Sequence, residues 1–215
     1  MNIRRKNGSS IDVASIECDS KHIGLVFSGI GYTCRNPLLY YSRKILLELK
    51  IDYMGIDYRY YEDSCFLNAS DEEKDEYFEQ DNALVVEHVK DMAKTHEKVF
   101  LIGKSMGTSV IRRCMRHPEI SKKAYLVLMT PGTEWPEFIP ELKPTDNPAL
   151  LIGSLKDPYF AVSNLHDVYD KKNLTLMELE NGDHSLEVND VEKDIETLKK
   201  VMLSERLFIR NCLRC

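Results

Sequence analysis

Residues 99–117 read VFLIGKSMGTSVIRRCMRH, and the fold follows from how that segment divides. The apolar run 99–102 has the character of a buried strand. The stretch after Ser105 has the apolar spacing of a helix, with Arg112, Arg113 and Arg116 toward its end. Between them stands Gly103-Lys104-Ser105-Met106-Gly107, a GxSxG motif in the strand-to-helix context that a nucleophile elbow requires. With this composition, GxSxG arises by chance in only about 3% of chains of this length, before any demand on its placement. The turn forces the serine into a strained backbone, and side chains at 103 and 107 would meet the neighbouring helix and strand. The two glycines are therefore structural. The strain lifts the Ser105 hydroxyl above the strand end. The amide of Met106, opening the helix, faces the same point and suits an oxyanion donor.

Outward from this segment the same rhythm repeats. Short apolar runs at 23–28 (IGLVFS), 51–57 (IDYMGID), 124–129 (AYLVLM), 149–154 (ALLIGS) and 174–180 (LTLMELE) alternate with helix-like stretches at 38–50, 71–94, 159–169 and from about Asp190 onward. Continuous rather than alternating apolar character suits parallel strands covered on both faces. The expected architecture is a three-layer α/β/α sandwich with a mostly parallel, doubly wound sheet, in one domain spanning 1–215 with its core at about 23–203. Residues 11–18 (IDVASIEC) could add an antiparallel edge strand. Ser70 with Glu73 has capping-box spacing, and Asn36-Pro37 suits a helix start. In the last helix Val191, Ile195, Leu198 and Met202 form an apolar stripe that predicts core packing, with Asn189 and Glu192 at capping positions. The connection 130–148 holds five of the eight prolines, too many for a long helix or central strand.

Composition narrows the function. A formal charge of −6 argues against tracking nucleic-acid phosphates, and no apolar run is long enough to span a membrane. Six scattered cysteines in a chain of 215 residues favour reduced thiols and a cytoplasmic setting. The terminal CLRC lacks the partner pair that a metal site needs. The protein is expected to use no metal and no organic cofactor, and to be a monomer or homodimer.

A serine hydroxyl needs a base, and histidine is the side chain suited to that exchange. Of six histidines, His184 lies in ENGDHSL, directly after the last strand, at the same sheet edge as Ser105. His166 is the runner-up, within an expected helix. His88, His96 and His117 read as solvated or capping residues, and His22 precedes a strand at the opposite edge. Asp157, in GSLKDPYF, follows the preceding strand and is placed to orient the imidazole; Asp183 adjoins His184 and would struggle to reach the same ring. The turn SGIGYTC (28–34) offers a second oxyanion amide at Ile30, with Gly31 the close alternative. Tyr32, Trp135 and Tyr159 are pocket candidates, alongside Phe138, Ile139 and Phe160. Lys104 and Arg59 read first as surface charges, with an anionic acyl group as the other role open to them.

The order Ser105, Asp157, His184, together with GKSMG, resembles the α/β-hydrolase superfamily over about 23–203. SGIGYT stands where members carry an oxyanion loop, with Ser28 in place of the usual histidine. GIDYR stands where they have a strand ending in Asp-Arg. With only the proline-rich connection 130–148 where a lid would be inserted, the chain is similar to compact, lidless members such as small carboxylesterases, acyl-protein thioesterases and dienelactone-hydrolase-like proteins. The resemblance implies hydrolysis of a small acyl ester or thioester by Ser105, His184 and Asp157. A non-catalytic binding or scaffolding protein of the same fold, or a peptidase or acyltransferase, are the alternatives.

Overall fold

The computed structural model describes residues 2–5, 8–132, 135–142, 145–160 and 173–214. The apolar runs form the strands β3 (His22–Phe27), β4 (Asp52–Asp57), β5 (Lys98–Lys104), β6 (Ala124–Met129), β7 (Ala149–Ser154) and β8 (Leu174–Leu179). They pair in parallel in the order β4-β3-β5-β6-β7-β8. The segment expected at 11–18 is an antiparallel strand, β2 (Ser10–Ile16), beside β4. A further strand absent from the sequence reading, β1 (Asn2–Arg4), pairs antiparallel with it and completes eight.

Helices cover both faces, and this explains the unbroken apolar runs. Along β5, Leu101 belongs to the core shared with α3 (Asp71–Thr95) and α4 (Met106–Met115), and Ile102 to the core shared with α1 (Pro37–Glu48) and α7 (Val191–Arg214). Leu126, Val127, Leu128 and Met129 of β6 alternate in the same way. The sheet is doubly wound, as expected, and among the described residues it carries no large cap. The connection after β6 contains the short helix α6 (Trp135–Leu142), with Pro140 inside it. Most of the helix expected at 159–169, His166 included, falls outside the described residues. Among the described residues no helix is long and apolar enough to cross a membrane.

The helix starts were read unevenly. Ser70 and Glu73 form the reciprocal capping box. Asn36 and Pro37 stand at the N-cap and first position of α1 as expected, but Asn36 turns its Oδ1 back to accept from the backbone and hydroxyl of Thr33 rather than from the first turn. Asn189 sits at φ 58°, and the residue that accepts from the first turn of α7 is Asp190, whose Oδ1 takes the Lys193 amide.

The stripe expected on α7 is also corrected in part. Leu198 and Met202 are half-buried against the core as expected, but Val191 and Ile195 are 75% and 61% exposed. The fully buried face is Val201, Glu205, Ile209 and Cys212, and the helix continues to Arg214. Glu205 escapes an apolar-pattern search because it is a carboxylate in sequence and a core residue in space. Its Oε2 lies 2.9 Å from the Ser42 hydroxyl of α1, which also lies 3.0 Å from the Leu38 carbonyl. Ser42 has one proton. If that proton goes to Leu38, the bond to Glu205 requires a protonated carboxyl, and burial pushes this group up to about 8.

The sign follows from linkage. A carboxyl raised from 4.5 to about 8 stabilises the fold fully below pH 4.5, and that contribution is lost as pH rises through 8. Glu205→Gln, which keeps the size and the donor to Ser42, should therefore match the parent near pH 5. Above it, the variant should pull ahead to a melting temperature roughly 5–10 °C higher at pH 9. Thermal unfolding by circular dichroism from pH 5 to 9 measures this.

Candidate active site

The elbow forms where the sequence placed it. Ser105 adopts φ 54° and ψ −119°, between β5 and α4. Its amide donates to the Met129 carbonyl at 3.0 Å, and its carbonyl accepts from the Thr108 hydroxyl at 2.6 Å and the Thr108 amide at 2.9 Å. A Cβ on Gly103 would stand 2.6 Å from the Gly107 carbonyl oxygen, and one on Gly107 only 2.4 Å from that of Phe27. Strand, turn and helix thus close on β3 with no room for a methyl group.

His184 follows β8 in a loop that Asp183 builds from within. The Asp183 carboxylate accepts from the amides of Ser185 at 2.7 Å and Glu187 at 3.0 Å, which turns it away from the ring beside it. The imidazole Nε2 lies 2.7 Å from Ser105 Oγ, and Nδ1 lies 2.8 Å from Asp157 Oδ2. Asp157, in the turn after β7, has a fully buried carboxylate whose other oxygen accepts from the Tyr159 amide at 3.0 Å. With Nδ1–H donating to Asp157, Nε2 presents its lone pair to the serine hydroxyl. Such a chain can take a proton from an attacking hydroxyl and later return it to a leaving group.

Above these residues is a cleft of about 1100 Å³. Ile30, Gly31 and Met106 line it, and Gly29 packs so closely on the elbow that a Cβ there would lie 3.4 Å from Cβ of Ser105. The Gly29 amide is already spent on the Tyr32 carbonyl, at 2.9 Å. Tyr159 sets its ring edge-on to His184, centroids 4.8 Å apart, and Tyr32 forms part of the wall. The side chain of Trp135 lies outside the described residues, as does that of Ile139. Phe138 and Phe160 are core residues instead, both 2% exposed, with Phe160 packed where a side chain on Gly153 would otherwise stand.

Two features escaped the sequence reading. The cleft is also lined by Phe66 of the short helix α2 (Ser64–Leu67) and by Lys74 and Phe78 of α3, none of them expected in the pocket. Lys104, expected at the surface, is 1% exposed. It is the last residue of a central strand, in step with Phe100 and Ile102, so its side chain faces the layer that holds α1 and α7; strand periodicity was the signal. Burial lowers the ammonium to about 8 against the opposing pull of Asp157, Asp183 and Glu187. Arg59 is half-exposed and pairs with Asp12 and Glu62. His96 accepts its place at the end of α3, with Nδ1 2.7 Å from the Met92 carbonyl. Among the described residues no three His, Cys, Asp or Glu side chains gather as a metal site would need.

A family model described as "Alpha/beta hydrolase domain" matches residues 23–207. A comparison with curated proteins finds no match. Among solved structures, the chain is similar to a protein of unknown function from Agrobacterium tumefaciens, with TM-score 0.70 and 14% identity over 100% of this chain and 96% of that one. It is similar also to a lidless serine hydrolase from Xanthomonas campestris (0.64, 17%, 98% and 93%) and to an esterase from Pyrococcus furiosus (0.63, 15%, 98% and 91%). At these identities the likeness is one of fold.

The close approach at Gly107 sets a stability test. Gly107→Ala should cost about 2–3 kcal/mol or abolish folding, because the obstructing atom is backbone. Gly31→Ala, with nothing within 4 Å of the added methyl, should stay within about 0.5 kcal/mol of the parent. Urea midpoints of the two variants give the comparison.

Proposed function

The chain belongs to the α/β-hydrolase family, and from that premise we propose that it is a serine hydrolase cleaving a carboxylic ester or thioester of a small acyl substrate. The observation that carries this reading is the unbroken line of contacts from Ser105 Oγ through both nitrogens of His184 to a buried Asp157.

In the proposed reaction Ser105 Oγ attacks the acyl carbon while His184 Nε2 takes its proton. The carbonyl oxygen becomes an oxyanion, which accepts hydrogen bonds from the amides of Met106 and Ile30. The imidazolium, held by Asp157, returns the proton to the departing alkoxide or thiolate. Water then attacks the acyl-enzyme with His184 again as base, and Ser105 is released. These steps need neither a metal nor an organic cofactor.

The cleft supports a modest acyl group. Its walls are mixed, with Phe66, Phe78 and Met106 as apolar surface and Lys74 and Asp75 near the mouth. Tyr32 and Tyr159 are proposed to contact the substrate. The setting we propose is cytoplasmic, in keeping with Cys18, Cys34, Cys65 and Cys114 all being free thiols.

A fluorophosphonate probe should label the protein once, and the adduct should map to Ser105. Ser105→Ala should remove labelling and lower kcat on a short acyl ester or thioester by about 10⁵–10⁶, with melting temperature unchanged within a few degrees. A folded parent that neither labels nor hydrolyses any member of an ester, thioester and peptide panel would overturn the reading and favour a binding protein.

A further inference from the structure

Lys104 stands between Gly103 and the nucleophile, yet its side chain serves the far end of the chain. Nζ donates to the main-chain carbonyl of His184 at 2.8 Å, across 80 positions in sequence. The ammonium also lies 4.6 Å from the centroid of the Tyr32 ring, and the Tyr32 hydroxyl accepts from the Leu38 amide at the start of α1. The charge is thus held between an aromatic face and one carbonyl. Lys104 borders the cleft, but at 1% exposure its ammonium is engaged by this carbonyl rather than presented to solvent.

The histidine loop needs such a tie. Asp183 organises it internally, and Leu186 packs it onto the core beside α7. Neither bond fixes where the imidazole stands along the rim of the sheet. The carbonyl that Lys104 grips belongs to His184 itself, so drift of the loop away from β5 has to break this bond as well as those of the ring. A shift of about 1 Å between base and nucleophile is enough to cost a large factor in rate.

We propose that Lys104 is a positioning residue, whose bond to the His184 carbonyl clamps the histidine loop to the strand that carries Ser105. The inference rests on the hydrolase reading. The ionised groups facing it are Asp157 from the turn after β7 and Asp183 and Glu187 from the histidine loop, all favouring the ammonium. The charged form grips a carbonyl about twice as strongly as a neutral amine. The clamp is therefore at full strength below about pH 8 and weakens as pH rises through that value.

The test compares the parent with Lys104→Met, which keeps the stem and removes the donor, and Lys104→Arg, which keeps the charge at any working pH. The rate of fluorophosphonate labelling is followed from pH 6 to 10, with melting temperatures alongside. Nitrogen-15 spectra of the histidines are recorded without probe. The parent rate should fall above about pH 8. Lys104→Met should label about tenfold more slowly at pH 7 and lose that decline, while Lys104→Arg should keep its rate to higher pH than the parent. His184 in Lys104→Met should show averaging between ring tautomers that the parent does not. If Lys104→Met fails to fold, Lys104→Gln, a donor without charge, takes its place with an intermediate rate expected. Labelling of Lys104→Met at the parent's rate and pH dependence would overturn the clamp. A parent that does not label at all defeats the hydrolase reading, and the nitrogen spectra still decide on the clamp: unchanged His184 signals in Lys104→Met would overturn it.

Discussion

Ser105 occupies a backbone conformation that L residues avoid, at a cost of about 1–3 kcal/mol that neighbouring structure must offset. Its amide is fixed to β6 by Met129 and its carbonyl to α4 by Thr108. The approach of Gly103 to Gly107, and of Gly107 to Phe27, locks strand to helix and helix to strand. Relaxing the serine would mean separating β5 from α4, and α4 is buried along Val110, Ile111 and Cys114. The core on one face of the sheet thus underwrites the strain at its rim.

The register carries this constraint to the other site residues. Phe27 pairs with Gly103, Lys104 with Met129, Met129 with Ile152, and Ser154 with Leu179. Strands 3 and 5 therefore end within one residue of each other, and strands 7 and 8 end together two residues further on. The next residues of each chain, the 28–34 turn, Ser105, the Asp157 turn and the His184 loop, emerge on one edge. A parallel sheet makes this meeting unavoidable, since every strand ends in the same direction and successive crossovers return to the opposite edge.

What the sequence discloses depends on whether the signal is local. The elbow, the strands and the Ser70 capping box are written in short windows, and the order Ser105, Asp157, His184 becomes informative once the strands are placed. The α7 stripe is right at Leu198 and Met202, which pack on the core, and misleads at Val191 and Ile195, which have the same helical spacing but stand exposed. The true inward face includes Glu205, which no hydrophobic pattern would select, and its partner Ser42 is the one polar side chain among the buried residues of α1, Leu38, Leu39, Ser42, Ile45 and Leu46. Asn36 and Asn189 are good capping residues by type, but their geometry was decided by the turns before them. Lys104 was misjudged by residue type when its position, the last of an inward-facing set on a central strand, outweighed its charge.

Two other buried polar ties share a logic with that lysine. Arg5 Nε donates to Asp81 Oδ2 at 2.8 Å and its Nη2 to the Tyr58 carbonyl at 2.7 Å, fastening the segment between β1 and β2 to α3 and to the end of β4. Glu205 fastens α7 to α1, and Lys104 fastens β5 to the histidine loop. Each joins segments far apart in sequence, at a place where apolar packing alone would tolerate sliding. Hydrophobic contact is proportional to area and indifferent to direction, so it assembles the layers without fixing their offsets. A hydrogen bond to a single oxygen is directional, and a buried one costs heavily when broken. For α1 against α7 an error of 1 Å costs packing. At the rim it separates Nε2 from Oγ, and there the site has a buried cation in place of an apolar contact.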